Sequence, residues 1–309
     1  MRVLVTGGAG FVGSHAVDRL VADGHEVHVL DNLSTGRRGH VNARARLHVR
    51  DIRSPRLGET LAAARPEAVV HLAAQASVAR SVADPVHDAS VNVLGTIALL
   101  EACRRTGVRR VVYTSTGGAA YGDTDVLPTP EDHPLRPASP YGASKVSAER
   151  WLACWTDLTG GRALALRLAN VYGPRQDPAG EAGVVAIFAS RLLAGVPCVV
   201  NGDGEQTRDY VYVEDVADAL ARALAYPELG GAVNVATGVA TSVNDLYRRL
   251  AALAGVARVP EHGPPRPGEQ RRSVLDPARA KARLGWTPAT PLDAGLATTL
   301  AWFRKEVGR

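Results

Sequence analysis

The stretch Arg2-Val3-Leu4-Val5-Thr6-Gly7-Gly8-Ala9-Gly10-Phe11-Val12-Gly13 decides the fold of this chain. A short β-rich run, Val3 to Thr6, ends in a glycine cluster, and the residues from Val12 to Ala22 then read as a helix. Glycines at such a junction allow a tight turn and a close approach of backbone to a pyrophosphate. The free N–H groups of the loop and the helix N-terminus favour negative charge. After a second β-rich run, Val27-His28-Val29-Leu30, comes Asp31, about 20 residues beyond the loop, where a dinucleotide-binding fingerprint places a carboxylate for ribose hydroxyls. That carboxylate would repel a 2′-phosphate, so NAD is expected rather than NADP, with Arg37 and Arg38 the neighbours that argue otherwise. Gly7, Gly10, Phe11, Val12, Gly13, Asp31 and Asn32 are the expected cofactor contacts here. Asp51-Ile52, after the third run Leu47-His48-Val49, would suit the edge and face of an adenine, or Asp51 would cap a helix.

The alternation continues through Val69-Val70-His71-Leu72, Val91 to Arg105, Val111 to Thr114, Ser139 to Leu158 and Leu164 to Leu168. Short strands alternating with helices predict a doubly wound parallel sheet, a Rossmann-type α/β core. Beyond Asn170 the rhythm changes to Gly- and Pro-rich loops, with helical runs near Val184 to Leu193, Val213 to Ala225, Ser242 to Leu253 and Leu292 to Phe303. We expect an NAD-binding unit over 1–170 and a smaller mixed α/β substrate-binding region over 171–309, partly interleaved with the core.

Composition narrows the classes. The 309 residues are 46% hydrophobic and 22% charged, enough for a substantial core and unlike a disordered chain. No apolar stretch reaches a membrane-span length and no cleavable signal is read, so a cytoplasmic protein without a membrane partner is expected. Cys103, Cys154 and Cys198 are odd in number and far apart, and the nine histidines show no paired ligand spacing, so neither disulfides nor a metal site is expected. The net charge of +5 is spread over arginines in ones and twos, without a basic block, so nucleic acid is not expected as a partner.

Tyr141 and Lys145 stand four apart in a helical run and project from one face. An ammonium beside a phenol is expected to lower its pKa from about 10 toward neutrality, where phenolate serves as a general base. Thr116, at the end of the fifth strand, falls where ligands bind in this architecture and could bridge substrate and Tyr141; Ser115 competes for that role.

Together, the glycine loop, Asp31, His71-Leu72-Ala73-Ala74, Thr116 and Tyr141-x-x-x-Lys145 resemble the extended short-chain dehydrogenase/reductase family of nucleotide-sugar epimerases and dehydratases. The likeness runs on through Arg167 to Arg175, Gly202 to Val211 and Arg266-Pro267-Gly268-Glu269, and is strongest to the branch that inverts UDP-glucose at C4. The resemblance implies a transient oxidation at C4 with NAD, Thr116, Tyr141 and Lys145 as catalytic residues, and Leu72, Ala73 and Ala74 beside the cofactor. Dehydratases of the family carry Asp-Glu directly after the Thr and decarboxylating relatives carry Glu; this chain has Gly117 and Gly118. Neither glycine can do acid–base work, so the keto-sugar is expected to turn and be reduced on its other face. The implied reaction is 4-epimerisation of a UDP-hexose, the UDP-glucose/UDP-galactose pair and also the N-acetylhexosamine pair. A 4-ketoreductase and a non-catalytic NAD sensor are the competing readings.

The resemblance further implies that Asn170, Arg208 and Arg266 contact the diphosphate and that Glu269 takes a uridine ribose hydroxyl. Ser273 stands at a gate where a bulky Tyr would exclude an acetamido group. Asp177, where relatives acting on a glucuronic acid carry Arg, would repel a C6 carboxylate and favour a neutral hexose. Homodimers through helices such as the one carrying Trp151 and Trp155 are common in the family.

Overall fold

The computed structural model describes residues 1–178, 183–265 and 270–307. Strands β1 (Arg2–Thr6), β2 (Glu26–Asp31), β3 (Arg46–Val49), β4 (Ala68–His71), β5 (Arg110–Thr116) and β6 (Arg162–Leu168) build the main sheet in chain order. Four short strands follow, β7 (Asn170–Tyr172), β8 (Val199–Asn201), β9 (Thr207–Arg208) and β10 (Tyr210–Tyr212). The chain then re-enters the main sheet as β11 (Ala232–Val235), which pairs parallel with β6. The sheet has seven parallel strands in the order β11-β6-β5-β4-β1-β2-β3. Its order reverses between β1 and β4, so a crevice opens at their C-terminal ends.

Both faces are covered, which is why the central strands are continuously apolar rather than alternating. Val3, Leu4 and Val5 are all fully buried. Val3 and Val5 join Val17, Leu20, Val216 and Leu220 of helices Phe11–Ala22 and Val213–Ala225 on one face. Leu4 joins Leu61, Leu99 and Leu152 of helices Leu57–Ala64, Gly95–Thr106 and Pro140–Thr159 on the other. The expected helix at Val91 to Arg105 is in fact a longer path. Helix Pro85–Ala89 runs into a π-helical turn, Ser90–Leu94, and then into Gly95–Thr106.

The long helix Pro140–Thr159 has punctuation written into its sequence. Ser139 accepts the Gly142 N–H at 3.1 Å, proline opens the first turn, and Gly160 closes the helix with a left-handed φ of 65°. A buried knot anchors it to the sheet: Arg167 on β6 grips Glu149 with two bonds of 3.1 and 2.7 Å. Arg167 also donates to the Tyr121 hydroxyl, which donates to Asn234 on β11. Removing one partner from such a pair typically costs about 3–5 kcal/mol, because it strands the other charge away from water.

The second region has its own core of Tyr172, Phe188, Tyr212, Leu246 and Leu250. Its small sheets are β7 with β10, β8 with β13 (Glu261–Gly263), and β9 between β12 (Thr241–Ser242) and β14 (Arg272–Ser273). Among the described residues no helix is long and apolar enough to cross a membrane, and no group of three or more His, Cys, Asp or Glu could hold a metal ion.

Candidate active site

The crevice between β1 and β4 is shaped by missing side chains. Gly7 turns at φ +72°, and a Cβ there would lie 2.6 Å from the Ala73 backbone nitrogen, so the loop after β1 and the loop after β4 touch. A Cβ at Gly13 would lie 2.0 Å from the Gly7 carbonyl oxygen. Helix Phe11–Ala22 starts here with no side chain capping its first turn, which suits the negative charge of a pyrophosphate. Phe11, Val12, Leu72, Ala73 and Ala74 are partly buried around this cradle.

At the rim, Asp31 accepts the Ala9 N–H at 2.9 Å and the Leu33 N–H at 2.8 Å, one on each oxygen. Each carboxylate oxygen keeps a second lone pair, so the group is both fixed and able to accept from a ribose. Asn32 donates to Asp51 at 2.9 Å, and Arg53 grips both Asp51 oxygens. Hydrogen bonding to Arg53 holds the Asp51 carboxyl well below the usual carboxylate range. The capping alternative for Asp51 fails: it closes a two-residue turn onto the Arg53 N–H, and helix Leu57–Ala64 begins only after Arg56. Ile52 is buried against Gly95.

A directional chain of hydrogen bonds crosses the base of the crevice. Thr96 donates its hydroxyl to the Asn92 carbonyl at 2.6 Å, so it must accept from His71 Nε2 at 3.0 Å. His71 Nδ1 is then an acceptor, and receives the Thr6 hydroxyl at 2.7 Å. Thr6 in turn accepts the Ala73 N–H at 3.2 Å. Burial drives the His71 pKa down to about 3, which keeps the ring neutral and the chain's direction fixed.

Lys145 is 3% exposed, and its Nζ sits over the Tyr113 ring, 4.5 Å from the centroid. Tyr141, one turn earlier, is partly buried, its backbone N–H bonded to Ser81 Oγ and its hydroxyl to the Thr116 side chain. The contact with Tyr141 falls to Thr116; the Ser115 hydroxyl is buried and makes no hydrogen bond. One expectation is corrected. Desolvation raises Tyr141 to about 12, with Thr116 the group that draws it down, and desolvation lowers Lys145 to about 7. Without a ligand, burial outweighs any help that the ammonium gives the phenol.

Beside Thr116, a Cβ on Gly117 would lie 2.2 Å from a Leu275 methyl carbon, and one on Gly118 would lie 3.4 Å from Ser273 Oγ. Leu275 and Ser273 are thus the neighbours of these two glycines. Ser273, buried on β14, is in register with Arg208 on β9. Asn170 is exposed at the start of β7, its N–H bonded to the Asp209 carbonyl. Asp209, which sequence reasoning passed over, gathers the N–H groups of Thr237, Gly238 and Leu275. The structure thus brings Asn170, Arg208 and Ser273 onto neighbouring strands. Arg266 and Glu269 lie outside the described residues. Arg37 faces Asp177 at 3.9 Å, so the Asp177 charge is opposed and its argument against a carboxylated sugar is weakened.

The chain matches the family model described as "NAD dependent epimerase/dehydratase family" over residues 3–236. It is 50% identical to a UDP-glucose 4-epimerase of Mycolicibacterium smegmatis, covering 99% of each chain. A solved UDP-glucose 4-epimerase from Thermotoga maritima, with UDP-glucose, superposes at a TM-score of 0.97 with 46% identity, covering 99% of this chain and 100% of that one. A second, from Thermus thermophilus in complex with NAD, gives 0.93 with 48% identity, over 98% and 99% of the two chains.

An alanine at position 13 has no space in the cradle. Gly13→Ala is expected to weaken NAD binding roughly tenfold to a hundredfold, from about 1–3 kcal/mol of forced shift. Calorimetric titration beside a circular-dichroism check of the fold measures this; unchanged affinity would remove the cradle from the site.

Proposed function

The chain belongs to the NAD-dependent epimerase/dehydratase family, and from that membership we propose that it inverts C4 of a UDP-hexose. The observation that carries the proposal is the pair of glycines directly after Thr116. Gly117 and Gly118 carry no side chain, so neither position supplies an acid or base to expel a hydroxyl or assist loss of a carboxylate. A 4-keto sugar formed in this site has one course left, reduction on its other face.

When bound, NAD supplies the acceptor that takes hydrogen from C4 as hydride and gives it back, together with a positive charge. Gly7, Gly10, Gly13 and Asp31 are assigned to hold it, with Leu72 to Ala74 along its side. Tyr141 takes the C4 hydroxyl proton and returns it. Thr116, already bonded to the phenol, orients that hydroxyl, and Lys145 supplies the ammonium that favours phenolate. Asn170 and Arg208 are assigned to the diphosphate, as are Arg266 and Glu269 to the diphosphate and uridine ribose by the family likeness. In this division residues 1–170 hold the cofactor and 171–309 the nucleotide sugar. Ser273 is small, which supports acceptance of both UDP-glucose and UDP-N-acetylglucosamine.

We place the enzyme in the cytoplasm, on its three unpaired thiols, and read it as a homodimer. Val82, Val86 and Leu94 stand more than half exposed on the helical segments Val78–Ala83, Pro85–Ala89 and Ser90–Leu94, as does Leu158 on the Tyr141 helix with the partly exposed Trp151. Apolar exposure of this kind supports a partner helix pair.

Tyr141→Phe is expected to lower kcat for UDP-glucose by about 10²–10⁴ while NAD stays bound; wild-type turnover in that variant would remove Tyr141 from the mechanism. Ser273→Tyr is expected to cut kcat/KM for UDP-N-acetylglucosamine by about tenfold or more and to spare UDP-glucose. Equal losses on both substrates would show that position 273 is no gate.

A further inference from the structure

A carboxylate that the mechanism above does not use lies beside the Tyr141–Lys145 pair. Asp88, on helix Pro85–Ala89, is fully buried. Its Oδ1 accepts from Gln75 Nε2 at 2.8 Å and from Asn92 Nδ2 at 3.1 Å, and its Oδ2 accepts the Ser144 hydroxyl at 2.6 Å. All three donors are neutral. They hold the charge in place and do not cancel it, and a buried charge requires an opposite one nearby.

The groups facing this place come from four elements. Helix Pro140–Thr159 offers Tyr141, Lys145 and Glu149, β4 offers His71, β5 offers Tyr113, and β6 offers Arg167. Glu149 is bonded to Arg167 and still raises Lys145, ahead of Asp88, but it is not among the groups that act on Tyr141. His71 is neutral and burial keeps Tyr113 protonated. Asp88 is the carboxylate that acts on both Lys145 and Tyr141, and Ser144 ties it to them, bonded to Asp88 and adjacent in sequence to Lys145.

We propose that Asp88 is a positioning residue for the reaction: a fixed negative charge that keeps Lys145 an ammonium and, through Ser144, seats the helix turn that carries Tyr141 and Lys145. The inference rests on the roles given to that pair above. One charge acts on both members in the same direction. It raises Lys145, against the burial that lowers it, and it adds to the burial that raises Tyr141. The working form is phenolate beside ammonium, and the two limbs of its pH profile belong to the pair as a whole. Neutralising Asp88 must therefore move both limbs toward acid together.

Asp88→Asn tests this with little change of shape. The new amide oxygen accepts from Gln75 and Asn92, and its nitrogen donates to Ser144 Oγ. In the pH dependence of kcat for UDP-glucose epimerisation by the NAD-loaded enzyme, both limbs are expected to shift acidward by on the order of one pH unit. Ser144→Ala, which keeps the charge, should lower kcat and leave both limbs in place. Unmoved limbs in Asp88→Asn, or limbs moving in opposite directions, would overturn the proposal. Asp88→Ser serves as a second neutral variant if the amide prevents folding. A carbon-13 NMR titration of the Tyr141 phenol, assigned with Tyr141→Phe, gives the same answer without turnover: its ionisation must fall to lower pH in Asp88→Asn. A wild-type enzyme inert toward UDP-glucose would count against the epimerase reading alone, while an unshifted phenol titration would count against Asp88.

Discussion

The hydrogen-bond chain from Thr6 through His71 and Thr96 to the Asn92 carbonyl is the constraint on which the rest of this site depends. It runs between the strand that enters the glycine loop, the strand that ends at His71, and the π turn behind them. Its direction is fixed by the Thr96 bond to the Asn92 carbonyl and by a neutral His71. Because the Ala73 N–H also ends on Thr6, the two walls of the crevice are fixed relative to each other. Asn92 continues the connection by exchanging two hydrogen bonds with the Gln75 backbone and donating to Asp88. From Asp88 it reaches Ser144, and so the helix of Tyr141 and Lys145. Cofactor loop and catalytic pair are thus coupled by buried polar contacts, where geometry is enforced by the cost of leaving any one of them unmade.

The same burial sets the site's electrostatic problem. A phenol near 12 and an ammonium near 7 favour the neutral pair, the opposite of what base catalysis needs. The Thr116 hydrogen bond draws the phenol down and the positive charge of an oxidised cofactor would act in the same direction, while Asp88 raises phenol and ammonium alike. Gly117 and Gly118 place no acid or base beside Thr116.

What could be read from the residues was what is local. The glycine loop, Asp31 and the four-residue spacing of Tyr141 and Lys145 each state their geometry within one turn or one strand–helix junction. The parallel sheet followed from the alternation of short apolar runs with helices. Features made by packing between distant segments were not legible. Asp88 sits in Asp84-Pro85-Val86-His87-Asp88-Ala89, which reads as an exposed helix start, and only the fold buries it under Ser144. The π turn at Ser90–Leu94 follows from no local propensity. The contact that assigns Tyr141 to Thr116 rather than Ser115 depends on how strand and helix meet, and the corrected pKa values depend on how deeply the pair is buried. Asp51 reads in the sequence as an adenine contact or a helix cap, and only the fold, which turns it onto Arg53, excludes the cap.

The central claim is that the hydrogen removed from C4 returns to the same carbon. The most direct test incubates purified enzyme with UDP-glucose in deuterated water, without added cofactor, and follows the sugar by proton NMR. The account predicts UDP-galactose resonances that grow to a fixed ratio, with protium retained at C4 in both sugars. Deuterium at C4, or a 4-keto-6-deoxy product, would contradict it.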